Sequence, residues 1–284
     1  MATRRRGLPD AGAGGQPSPH RLFFSGKVAG DQHVVGRVAL VPDLDREQLR
    51  LRGDAWSDLA LTLPIFVIYH LGVVFLPVRN AADLVTRELV TLASNNLAAY
   101  AGLTLAIGIV FVGVLSLFGR HQELRWQRFL LVASEGVLYA FTVRLLASYV
   151  VGKLRLQGGM VAEVPLPLSL TDRVSGGVLS LGAGFYEEIA FRVLLFGLGA
   201  YLLRIFAEPI PVMTARFITI GWAVVAAAAF SGWHYVGSLG DPFELRSFVF
   251  RWVCGLVFTV IYAFRGFAPV VWTHAIYDVW VLSF

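Results

Sequence analysis

Apolar runs long enough to cross a bilayer recur along this 284-residue chain, and they constrain its fold more than any other feature. A run of about 18 apolar residues reads as a membrane helix. Runs that approach or exceed this length lie at about Trp56–Leu76, Leu97–Phe118, Phe129–Val151, Val174–Leu203, Thr214–Tyr235, Ser247–Phe264 and Ala268–Leu282. Inside hydrocarbon every backbone polar group must be bonded within the protein, which leaves helices for runs of this length. The expected fold is all-α: a polytopic membrane helical bundle of about seven transmembrane helices, eight if one segment re-enters the membrane. Charged residues are 15% of the chain and hydrophobic ones 56%, against roughly 25% charged in a soluble domain. The formal charge of +5 is no nucleic-acid signature, because much of the excess sits in the N-terminal arm and the short loops. The bilayer is the expected partner, and nucleic acid is not.

The chain divides into four stretches. Residues 1–19 are rich in Gly, Pro and Ala without periodicity and read as a disordered arm. Arg4-Arg5-Arg6 has no apolar core behind it, so no cleaved signal peptide is expected. Residues 20–55 read as a cytoplasmic or surface segment, 56–169 as N-terminal membrane helices, and 170–284 as the catalytic membrane core. Ala81–Ala93 is semi-polar and expected on the surface. Pro209-Ile210-Pro211 breaks the helix after the fourth run, and Arg265-Gly266-Phe267 reads as a tight turn. Glu135 and Arg144, both in the third run, are expected to snorkel or to pair structurally with other helices. Counting arginines loop by loop favours a cytoplasmic N-terminus. Lysine is nearly absent beside abundant Arg, Ala and Gly, as in GC-rich bacterial coding, so a bacterial inner (plasma) membrane is the expected location. Cys254, the single cysteine, reads as a small buried hydrophobe.

The late runs contain what a lipid-facing helix would not carry. Glu187-Glu188-Ile189-Ala190-Phe191-Arg192 lies near the middle of the fourth run. A charge at the bilayer centre costs at least about 2.5 kcal/mol and is normally paired or lining a cavity. Glu188 and Arg192, spaced i,i+4, can pair on one face. Glu187 is then a surplus carboxylate, expected to face His234 and His274. Phe230 and His234 close the fifth run at i,i+4, and His274 and Asp278 share one face of the seventh. A carboxylate and an imidazole can share a water and take its proton. A second imidazole and a carboxyl group can face a developing oxyanion. This set suits amide hydrolysis. The same Glu187, His234, His274 and Asp278 could instead ligate a divalent metal such as zinc, and spacing does not separate the two.

Glu187-Glu188-x-x-x-Arg192, then Phe230-x-x-x-His234, then His274-x-x-x-Asp278, in this order on successive spans, resembles the CAAX-protease and bacteriocin-processing (CPBP, Abi) family of glutamate-dependent intramembrane proteases. The resemblance covers roughly residues 170–284. It implies an intramembrane endopeptidase in which Glu187 and His234 activate water. On that pattern His274 and Asp278 stabilise the oxyanion, Glu188 and Arg192 organise the site, and no cofactor is required. The substrate would be a membrane-anchored protein or peptide, cut near its C-terminus. Many members have Asn where this chain has Asp278; an ionised Asp there would repel the charge it should stabilise. A zinc HExxH and a rhomboid Gly-x-Ser-Gly are absent, and the order of Asp241 and Tyr277-Asp278 is the reverse of the presenilin arrangement. A non-proteolytic binding, immunity or sorting factor on the same scaffold is the rival reading; a transporter, for which no repeat symmetry is visible, ranks last. In straight parallel spans His234 and His274 would differ in depth by about 15 Å, so residues 236–246 are expected to fold back into the membrane.

Overall fold

The computed structural model describes residues 55–76, 96–118, 126–156, 169–207, 211–237 and 240–283. The expectations for residues 1–19, for nearly all of 20–55 and for Ala81–Ala93 lie outside them. Among the described residues there is no strand, and the helices form seven rods. These are α1 (Ala55–Phe75), α2 (Leu97–Phe118), α3 (Trp126–Lys153), a long fourth rod, α6 (Val212–Trp233), α7 (Leu245–Arg265) and α8 (Phe267–Ser283). The fourth rod runs through α4 (Leu170–Gly182), two π-helical stretches (Ala183–Glu187 and Ile189–Leu198) and α5 (Gly199–Ala207). Five of the rods are long and apolar enough to cross a membrane, and many of their large apolar side chains face outward. The chain is an all-α, multi-pass membrane bundle.

α8 is the shortest rod, at 17 residues, and the one the others surround. α1, α3, α4 and α7 all pack on it. Small residues let them approach closely, as membrane helices require in the absence of a hydrophobic force between them. α3 turns Val132, Gly136, Ala140, Val143 and Ala147 inward. A Cβ on Gly136 would lie 3.0 Å from the Ile276 side chain. On α4, a Cβ at Gly176 would meet the Leu282 carbonyl oxygen at 2.5 Å. Two residues beyond α4, a Cβ at Gly184 would stand 2.7 Å from the Ala275 backbone nitrogen.

Polar groups tie the rods at their ends. The Gly266 turn has φ 101°, a left-handed conformation that glycine tolerates without strain. There Asp58 of α1 accepts the Phe267 N–H at 2.6 Å and caps α8. Glu135 of α3 receives Arg265 of α7 through two hydrogen bonds of 2.6 and 3.2 Å, so the structural pairing expected for Glu135 is present. Arg144 lies over the Trp280 ring at 4.8 Å. The fourth rod begins at Leu170, four residues before the apolar run, because Ser169 and Asp172 form a reciprocal capping box. Cys254 is buried.

Candidate active site

Glu187 and Glu188 sit where the fourth rod changes winding. Glu188 is the single residue between the two π-helical stretches. Such wide turns are uncommon and are frequently found at functional sites. Gly184 presses the rod onto Ala275 of α8, and four residues further on Glu188 reaches the α8 residue before Ala275. Glu188 Oε1 accepts from His274 Nδ1 at 2.6 Å and faces Arg192 Nη1 at 2.9 Å. All three are almost fully buried.

Arg192 is caged. Nη2 donates to the Gly255 carbonyl at 3.4 Å, and the guanidinium lies over Phe230 at 4.2 Å and Phe258 at 5.1 Å. An aromatic face attracts a desolvated cation, worth about 2 kcal/mol when buried. Phe258 also stacks on His274, with centroids 4.7 Å apart. Phe230 meets His234 and His274 edge-on, at 5.2 and 5.8 Å.

His234 caps α6. Its Nδ1 donates to the Phe230 carbonyl at 3.0 Å. A carbonyl oxygen only accepts, so that nitrogen holds a proton, and Nε2 is the ring nitrogen turned to Glu187. Nε2 stands 4.0 Å from Glu187 Oε2, beyond a direct hydrogen bond. The Glu187 side chain is 7% exposed and that of His234 26%, so this gap is reached from the imidazole side. His274 Nε2 points to Asp278 Oδ2 at 3.3 Å, and Asp278 is one-fifth exposed.

All seven residues singled out from the sequence (Glu187, Glu188, Arg192, Phe230, His234, His274 and Asp278) are therefore drawn together. The internal wiring differs from expectation in one respect. His274 bonds Glu188, not the surplus carboxylate: each imidazole takes its own member of the Glu pair. The two imidazoles nonetheless lie near one another, with the Phe230 ring between them at 5.2 Å from His234 and 5.8 Å from His274. The turn after His234 folds back on itself, with the Asp241 N–H donating to the His234 carbonyl at 2.8 Å and the Asp241 carboxylate pairing with Arg251 at 2.6 Å. Among the described residues no group of three or more His, Cys, Asp and Glu side chains converges as a metal-ligand set.

The first span carries buried ionisable residues of its own. Asp58 and His70 of α1 are both buried. Either could have been noticed as an ionisable residue in an apolar run, and His70 reaches Tyr186, the neighbour of Glu187, at 2.6 Å.

A polytopic bundle enclosing two glutamates, an arginine and two histidines defines a membrane protein with a buried ionisable centre, the usual mark of intramembrane chemistry. Residues 171–280 match the family model described as Rce1-like, type II CAAX prenyl endopeptidase. Over that segment the chain is similar to the type II CAAX prenyl endopeptidases that the model describes. No curated protein matches the chain, and neither does any solved structure.

Proposed function

We propose that the protein is an intramembrane endopeptidase that hydrolyses a peptide bond of a membrane-anchored protein or peptide, near the substrate's C-terminus, with water activated by Glu187 and His234. The observation that carries this reading is the 4.0 Å separation of Glu187 Oε2 and His234 Nε2. A water at about 2.8 Å from each would hydrogen-bond to both. Loss of its proton to this pair leaves hydroxide to attack the carbonyl carbon. A C–O bond forms, and the carbonyl oxygen takes the electron pair. The exposed edge of the His274–Asp278 pair is the candidate site for that oxyanion. Collapse breaks the C–N bond, and the proton held by Glu187 or His234 passes to the leaving amine. Glu188 and Arg192 hold His274 in orientation. No metal enters this scheme.

The family description points to prenylated C-terminal sequences as the substrate class. The arginine-rich loops on one side support a plasma membrane orientation with the N-terminus inside, in a bacterial cell.

Comparative membrane proteomics of wild type and Glu187→Ala tests the reading. The variant should accumulate an uncleaved precursor at unchanged enzyme level, and the wild type should keep cleaving after chelator treatment. Identical proteomes would favour a binding or sorting role, and loss of cleavage in chelator would return the four side chains to the metal alternative.

A further inference from the structure

The residue before Glu187 is held from outside the family-matched segment. His70 of α1 places Nε2 2.6 Å from the Tyr186 hydroxyl and Nδ1 3.2 Å from the Tyr100 hydroxyl of α2. His70 is 1% exposed, Tyr100 2% and Tyr186 7%. A neutral imidazole has one N–H and one lone pair, so one hydroxyl donates to the ring while the other accepts from it. Leaving any of these buried atoms unmet is unfavourable, which locks the chain Tyr100–His70–Tyr186 in place.

The π-helical stretch Ala183–Glu187 needs such a lock. Its start is seated on α1, where a Cβ on Gly182 would run into the Tyr69 ring. The Tyr186 ring stands edge-on to Tyr69 at 5.7 Å and to Phe185 at 5.2 Å. Glu188 is tied to Arg192 and His274 on the other side of Glu187 in the chain. Glu187 lies between two anchored neighbours on one continuous helical backbone, so fixing Tyr186 and Glu188 fixes where the side chain between them points.

We propose that His70 is a positioning residue for Glu187, acting through the Tyr186 hydroxyl, with Tyr100 setting the orientation of the His70 ring. Helices α1 and α2 then belong to the catalytic machinery as well as to the scaffold. This rests on the reading of Glu187 as the water-activating carboxylate.

The test uses the full chain in phospholipid nanodiscs with an internally quenched farnesylated CAAX peptide as probe. Tyr186→Phe keeps the ring and removes only the hydroxyl. A misplacement of 1 Å can cost roughly 100-fold, so kcat should fall about tenfold or more in Tyr186→Phe and in His70→Ala, at unchanged KM. The double variant should be no worse than either single one. A second readout needs no turnover: dicyclohexylcarbodiimide labels buried carboxyl groups, and peptide mass spectrometry separates an adduct on Glu187 from one on Glu188. Labelling of Glu187 should change several-fold in Tyr186→Phe while that of Glu188 holds. Unchanged labelling of Glu187, or a kcat loss that merely tracks a lowered melting temperature, overturns the inference. A wild type that leaves the peptide intact counts against the protease reading alone, and the labelling result then decides this one.

Discussion

Arg192 is the residue whose surroundings are most completely specified. A carboxylate, a backbone carbonyl and two aromatic faces enclose its guanidinium. Breaking a buried pair by removing one partner costs about 3–5 kcal/mol, since the other charge is left uncompensated. Arg192→Lys keeps a charge but loses the planar fork that spans Glu188 and Gly255. It should behave almost like Arg192→Ala, with a clearly lowered melting temperature in detergent and no cleavage. Asp278 permits a more discriminating substitution. If it serves the oxyanion as a donor, Asp278→Asn retains a donor and should hold kcat near wild type. Asp278→Ala should lose about 100-fold or more, the usual consequence of removing one oxyanion donor. Steady-state kinetics on both variants would check this, and equal loss in the two would assign Asp278 to another task. At this scale the sequence was informative wherever partners share a helix. Glu188–Arg192 and His274–Asp278 are i,i+4 pairs, and both are present. The His274–Glu188 bond was not legible, because two helices set its angle.

At the scale of the element, the π-helical winding between Ala183 and Leu198 places the Glu pair. No sequence period announced it; the residues read as an ordinary apolar run. The winding goes with close seats for glycine, and Gly184 against Ala275 is the one nearest the site. A methyl group there would fall 2.7 Å from a backbone nitrogen of α8, which no side-chain rotation can relieve. Gly184→Ala should therefore separate the fourth rod from α8 and stretch the Glu188–His274 bond. Overpacking of this kind costs about 1–3 kcal/mol. Activity should fall further than the melting temperature implies, measurable as kcat at a temperature where the variant remains folded. By contrast, the Gly266 turn was legible from Arg265-Gly266-Phe267, since a positive φ favours glycine. Its cap, Asp58, comes from the far end of the described sequence and was not.

For the molecule as a whole, the family-matched stretch is not a free-standing unit. α8 carries His274 and Asp278, yet it is buried against α1 and α3 as well as against α4 and α7. Asp58 caps it, the Trp272 indole N–H donates to the Leu61 carbonyl at 2.9 Å, and Glu135 holds Arg265 beside the turn. A fragment of residues 169–284 would expose these faces to lipid and leave the Phe267 N–H and the Arg265 guanidinium without those partners. It should insert but lack a cooperative melt and any cleavage, and co-expression of residues 1–168 should restore both. Size-exclusion chromatography with thermal melts in detergent would check the outcome.

The sequence by itself determined the apolar rods seen among the described residues, their approximate ends, and the seven residues that gather at the centre. Apolar length and i,i+4 spacing are properties of one helix, and hydrocarbon permits little besides a helix over such runs. Only the tertiary structure decided which imidazole meets which glutamate, that α1 reaches the residue beside Glu187, and that α8 is the buried axis of the bundle. Those follow from how helices rotate and approach one another, which is set by side chains from several rods at once: a glycine on one, an alanine on the next, a tyrosine on a third.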